Sequence, residues 1–411
     1  MQPHDSPQYR VITARSPHGE PIDVGVVPDD HGRMRVATID AASRGAGAPE
    51  GLDLSEYVLL PPAAEPHAHL DKALSWEELT PAVGDLDDAI ECWRGGVYRF
   101  DEESFYRRAR TAAMHMLSRG TTAVRTHVDV LIDDDPYRGI RAVSRVRNEV
   151  APAMDIEIVA LAPPAISSEV ILGALDAGAD LVGGAPHIAD DPGAEVTRLV
   201  GLAESRGVGV DLHTDEFLFG DHVTIDTFAD LVAHWPSDRI RTAGHCCRLS
   251  TMTPDALSHS VERLRSGGVS VVALPITNLY LQGRGSAATG LRGIAPLDAL
   301  IRGGVRVAAG ADNIRDPFNP MGRGDALETA SLLVTAGHQR PDTALDLVTA
   351  SARQVLGLEP AGPVVGAVAD FMAVRASNYV EAIAMAPDDR VVIVDARVVS
   401  RTRSTTWTVI A

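Results

Sequence analysis

The chain has 411 residues, 45% of them hydrophobic, and a formal net charge of −19. That length can bury a large core, either as two domains or as one large α/β barrel with an accessory piece. The negative charge argues against nucleic acid or an anionic membrane surface as partner, and neither a membrane-spanning apolar run nor a signal-like start is present, so a cytoplasmic location is expected.

Residues 8 to 60 hold the strand-like pieces YRVITARS and RMRVATID, separated by VPDDHGR and followed by a Gly/Ala/Pro stretch. From about Tyr57 the pattern changes to short β-branched runs alternating with longer amphipathic stretches. The strand candidates are YVLLPPAAEPHAH, TTAVRTHVDV, DIEIVALAP, DLVGGAPH, GVGVDLH, IRTAGH, VSVVALP and VRVAAGAD. Between them lie helical patterns such as DEESFYRRARTAAMHMLSRG and TPDALSHSVERLRSGG, several closed by glycine as a helix C-terminus would be. Eight strands alternating with helices predict a (β/α)8 barrel over 60–361. The β-rich C-terminal runs GPVVGAVADFMAVRA and RVVIVDARVVSRTRSTTWTV predict that 1–59 and 362–411 together build a small accessory β domain.

In such barrels the chemistry gathers at the C-terminal ends of the strands. Those ends carry His67 and His69, His127 with Asp129, His187, His213 with Asp215 and Glu216, His245, and Asp312. Alternate residues on a strand share a face, so the two histidines of EPHAHLDK project together. Six strands aiming titratable groups at one mouth favour a bound cation over scattered structural histidines. Neutral imidazoles and a carboxylate suit Zn2+ or Fe2+, and His67, His69, His213 and Asp312 would hold it. His245 and Glu216 would then remain to move protons. Cys246 and Cys247, beside His245, read as small buried residues. Trp76 and Trp93 follow the first barrel strand, in a segment suited equally to packing and to covering the mouth. The one lysine, Lys72, stands beside the histidine pair.

In this order, EPHAHLDK, VRTHVDV, DLHTDE, AGHCC, NLYLQGR and GADNIRDP make the chain resemble the cytosine deaminase-like branch of the amidohydrolase superfamily, from about residue 60 to 375. The resemblance implies His67, His69, His213 and Asp312 as metal ligands. It implies Glu216 as the proton shuttle to a ring nitrogen, and His245 as the residue that orients or deprotonates the water, with Asp312 sharing that proton. It also places Gln282, Asn313, Lys72 and His187 as candidate substrate contacts, with Gln282 read equally as a loop hydrogen-bonder, Lys72 with Asp71 as support behind the ligands, and the role of His187 open. Relatives with two metals bridge them by a carbamylated lysine on the fourth strand. Here that strand is DLVGGAPH, so one divalent ion per chain is expected.

Two departures bear on the substrate. Where cytosine deaminases carry a glutamine after the third strand, this chain has Pro163 and Pro164, and where they carry a second aspartate it has Asn313. The resemblance therefore implies hydrolytic removal of an amino or alkylamino group from a small nitrogen heterocycle other than cytosine. Hydrolytic opening of a cyclic amide is the alternative chemistry. A barrel kept only as a binding protein is a third reading, weakened because every expected ligand is present. Nothing in the sequence argues against a homo-oligomer.

Overall fold

A computed structural model of the chain describes residues 8–42, 51–81, 84–164, 166–284 and 292–409. The Gly/Ala/Pro stretch at 43–50 and the ends of the expected accessory domain lie outside the described residues. Among the described residues, fifteen strands form two sheets. β1 (Val11–Arg15), β2 (Pro21–Pro28), β3 (Met34–Ala41) and β4 (Gly51–Leu60) join β13 (Phe371–Val374), β14 (Arg390–Val394) and β15 (Arg397–Thr402) in the order β15-β14-β13-β4-β1-β2-β3. The other sheet is wholly parallel and runs in chain order through β5 (Ala63–Ala68), β6 (Thr121–Asp129), β7 (Asp155–Ala162), β8 (Leu181–Gly184), β9 (Val210–Thr214), β10 (Arg241–His245), β11 (Ser270–Ala273) and β12 (Val307–Ala309). A single bridge between Ala68 and Asp312 brings its two edges together. The architecture is a (β/α)8 barrel with an accessory sheet made from both ends of the chain.

Two details differ from the sequence-based expectation. The run YVLLPPAAEPHAH is two strands, because Pro61 and Pro62 cannot donate to a ladder. β4 ends in the accessory sheet, and β5 begins the barrel. β2 was not expected at all. Its burial alternates, but Pro21, Gly25 and Pro28 mask the strand in the sequence. Elsewhere local signals match the elements. Helix Glu102–Ser118 starts at Asp101, whose side chain accepts from the Ser104 amide. Helices Pro192–Arg206 and Pro254–Gly267 end at Gly207 and Gly268, both left-handed, where glycine avoids a Cβ clash.

The barrel interior is polar as well as aliphatic. Arg125, fully buried, donates to Glu157 (2.6 Å), Asp211 (2.9 Å) and Thr242 (3.0 Å), tying β6, β7, β9 and β10 together. Barrel and accessory sheet are joined by a second buried ion pair, Arg390 on β14 with Asp325 (2.7 and 2.8 Å). Among the described residues no helix is long and apolar enough to cross a membrane.

Candidate active site

Three imidazoles and one carboxylate converge at the mouth. Nε2 of His213 on β9 lies 3.2 Å from Nε2 of His67 and 3.1 Å from Nε2 of His69. Oδ1 of Asp312, just past β12, is 3.3 Å from the His69 nitrogen and 3.9 Å from that of His67. Ligands about 2.0–2.1 Å from a tetrahedral Zn2+ stand roughly 3.3–3.4 Å from one another; the separations of 3.1, 3.2 and 3.3 Å are near that spacing, and His67 and Asp312 stand wider at 3.9 Å.

The surroundings fit a cation. Burial depresses His67, His69 and His213 well below the usual imidazole range, helped by the neighbouring rings and, at His69, first by the Lys72 ammonium, leaving the neutral form that binds metals. Burial, together with the carboxyls of Glu216, Asp316 and Glu65, holds Asp312 well above the usual range. Both Asp312 oxygens lack a hydrogen-bond partner among the described residues. A buried carboxylate without donors is costly, and a bound cation would remove that cost. Nδ1 of His69 is 3.2 Å from the His127 carbonyl and 3.3 Å from the Lys72 ammonium; the carbonyl contact is made by the tautomer that leaves Nε2 free for a cation. His127 itself is stacked 4.0 Å from His67, and its Nε2 is 3.6 Å from Asp211. His67, His127 and Asp211 therefore form a second cluster behind the first.

The backbone is strained where these groups emerge. Asp215, His245, Cys246 and Asp312 adopt positive φ (49°, 65°, 52° and 62°) at the ends of β9, β10 and β12. Such left-handed residues cost about 1–3 kcal/mol each and cluster at functional sites.

Glu216, two residues past β9, is 5% exposed, and burial pushes its carboxyl up to about 8. Its Oε1 is 3.2 Å from Nδ1 of His245. Asn278 donates to Glu216 Oε1 (3.4 Å) and stands 3.0 Å from the same His245 nitrogen, while Nε2 of His245 has no partner among the described residues. Gln282 donates to the Glu216 backbone carbonyl (3.1 Å), so it steadies the segment and does not line the cavity. Lys72, His187 and Asn313 do line it. Nδ1 of His187 contacts the His213 carbonyl (3.2 Å), and burial lowers the ring to about 4. Asn313 donates to Asp316 (2.8 Å). Burial opposes the charge on Lys72, but Asp129 (2.6 Å) and Asp71 (3.3 Å) outweigh it and raise the ammonium. Asp215 points away and caps helix Thr224–Val232 through Thr224 and Ile225.

The roles of three participants escape sequence reasoning. Glu65 accepts from the His67 amide (3.1 Å) and from the Ala311 amide (2.8 Å), clasping β5 to the segment after β12. Burial raises it to about 8 against the pull of these backbone donors. Asp129 bridges Lys72 and the Trp93 indole (2.7 Å), and Asn278 joins Glu216 to His245. Asn278 sits four residues before Gln282 in NLYLQGR, and that proximity was the available signal.

The chain is similar to several known proteins. The Klebsiella pneumoniae 5-methylcytosine deaminase, solved with 5-fluorocytosine, has a TM-score of 0.84 and 25% identity, covering 97% of this chain and 99% of its own. N-isopropylammelide isopropylaminohydrolase from Burkholderia multivorans gives 0.79 at 26% identity, over 95% and 98% of the two chains. Pterin deaminase of Rhizobium rhizogenes is 29% identical over 360 residues, 85% of this chain and 82% of its own. The model of the amidohydrolase family matches residues 86–408. With most of its length inside that match, and with an eight-stranded barrel whose mouth gathers three histidines and an aspartate, the chain belongs to the amidohydrolase family.

Proposed function

We propose that the protein is a metal-dependent hydrolase of carbon–nitrogen bonds that removes an amino or alkylamino group from a nitrogen heterocycle. The observation that carries this is the pairing of Glu216 with His245 and Asn278 beside the His67, His69, His213 and Asp312 cluster. One divalent ion, Zn2+ or Fe2+, held by those four residues would supply Lewis acidity and bring the pKa of a water toward neutrality.

The chain's own residues then divide the proton work. His245 lines the cavity with Nε2 free for the attacking water, and Asp312 stands ready to share that proton. Glu216 is kept protonated near neutrality by burial, so its carboxyl can deliver a proton to a ring nitrogen as the water adds to the adjacent carbon. A second transfer to the departing nitrogen releases ammonia or an amine. General acid–base steps of this kind contribute about 10²–10⁴ in rate. Pro163 lines the cavity and stands where the resemblance to cytosine deaminases places a glutamine, so it offers no side-chain amide to read a pyrimidine edge, which supports a heterocycle other than cytosine. Among the proteins to which the chain is similar, one acts on 5-methylcytosine, one on N-isopropylammelide and one on pterin, all of them nitrogen heterocycles.

Glu216→Gln tests the assignment. It should fold, keep its metal and bind substrate, yet lose about 10²-fold or more in ammonia release, whereas His213→Ala should lose the ion as well. A metal-free Glu216→Gln, or one with near-normal turnover, would remove the shuttle from the mechanism. Free ammonia or amine among the products separates deamination from ring opening.

A further inference from the structure

The mouth of the barrel is divided into two unlike halves. The ends of β9, β10 and β12 bring Glu216, His245, Asp312 and Asn313 to the cavity, whereas the segments after β5, β6 and β7 line it with Leu86, Ile90, Leu131, Ile132 and Pro163. The cavity is about 410 Å³, within the ~300–1,000 Å³ of sites that enclose drug-sized molecules and more than a single six-membered ring fills.

Apart from Arg94, which also borders the cavity, the charged groups on the apolar half are paired. Asp129 is held by Lys72 (2.6 Å) and Trp93 (2.7 Å), and Asp133 by Arg138 (2.6 and 2.8 Å). Arg94 is exposed, where water solvates it. Toward the rim, beside Arg94 and Asp133, large apolar side chains meet solvent. Ile132 is 68% exposed and Tyr98 70%, although both border the cavity. Large exposed side chains around a concave site mark surface that a ligand covers.

From this division we infer that the substrate extends beyond its reacting ring by an uncharged apolar group, an alkyl arm or a fused second ring, which lies along Leu86, Ile90, Leu131 and Ile132. This rests on the deaminase reading for the position of the reacting ring. The polar half holds the ring by its nitrogens and exocyclic groups, and the apolar half discriminates by size.

Two series of hydroxylated product analogues test it on the zinc-loaded full chain: N-alkyl cyanuric acids and 6-alkyl-2,4-dihydroxypteridines, with the substituent running from hydrogen through methyl and propyl to phenyl. Calorimetry should show affinity rising about four-fold per added methylene in at least one series. Ile132→Asp, at an exposed position that the fold does not depend on, should flatten that rise. A flat or falling dependence in both series, or a carboxylate-ended arm binding better than propyl, would overturn the inference. Ammonia release from the matching amino compounds is scored separately. If it occurs without any dependence of affinity on the arm, the inference fails and the deaminase reading stands. If affinity rises with the arm and no amino compound is turned over, the deaminase reading fails and the apolar subsite stands.

Discussion

Glu65 offers the sharpest test of how the barrel holds its ligands. The edges of the parallel sheet meet through one bridge, and the carboxyl of Glu65 supplies two further bonds there, to the amides of His67 and Ala311. Glu65→Gln keeps the shape but puts an NH2 against one of these two N–H donors. Leaving that amide unsatisfied in the interior costs about 1–3 kcal/mol. Because His67 and Asp312 each lie one residue or less from the clasped amides, metal affinity should also fall, by about the 10–100-fold typical of groups that orient ligands. Gly310→Ala approaches the same contact from the other side, since a Cβ there would stand 2.1 Å from Glu65 Oε1. The two changes act on one bond pair, so the double variant should be no worse than the poorer single one. Urea unfolding of the metal-free proteins and chelator competition on the reloaded ones measure the two effects. A Glu65→Gln protein with an unchanged unfolding midpoint and metal affinity within about two-fold of the parent would refute the clasp, and additive losses in the double variant would refute the shared contact.

Other outcomes follow from the same geometry. Asn278→Ala should cut kcat by roughly 2- to 10-fold, the equivalent of a hydrogen bond between neutral groups, while metal content measured by elemental analysis stays at the parental level. Arg125→Met strands Asp211 in the barrel interior and should destabilise the apo protein by about 3–5 kcal/mol in urea titration; pairing it with Asp211→Leu should recover much of the loss. Elemental analysis should find about one tightly held divalent ion per chain. Chelation should abolish activity and lower the unfolding midpoint, since a ligand at about 1,000 times its Kd stabilises by roughly 4 kcal/mol.

The sequence announced the barrel because each βα unit writes its own signal: a β-branched run, an amphipathic helix, and often a glycine between. It announced the histidines for a similar reason, since His67 and His69 sit two apart and His213 and Glu216 three apart on local elements. Glu65 was invisible in its role because one of its donors, Ala311, is 246 residues away, and only closure of the barrel brings them together. Asp129 looked like one more polar strand end, although its contacts join two segments after β5. Gln282 shows the opposite effect: its place beside the site was legible, but only the folded loop reveals that it grips the backbone of Glu216 and leaves the cavity wall to others. The apolar half of the mouth was unreadable for the same reason, being assembled from separate segments that each look like ordinary core.

The burial of Lys72 has a practical meaning. It is the chain's one lysine and is 3% exposed, so every cationic side chain on the surface is an arginine or a histidine. Acylating reagents, aldehydes and amine-directed cross-linkers therefore find no lysine handle on the folded surface. Any modification that does reach Lys72 has entered the cavity or opened it. The rate of that single acylation, followed by mass spectrometry with and without a bound ligand, becomes a built-in gauge of how often the mouth admits a visitor.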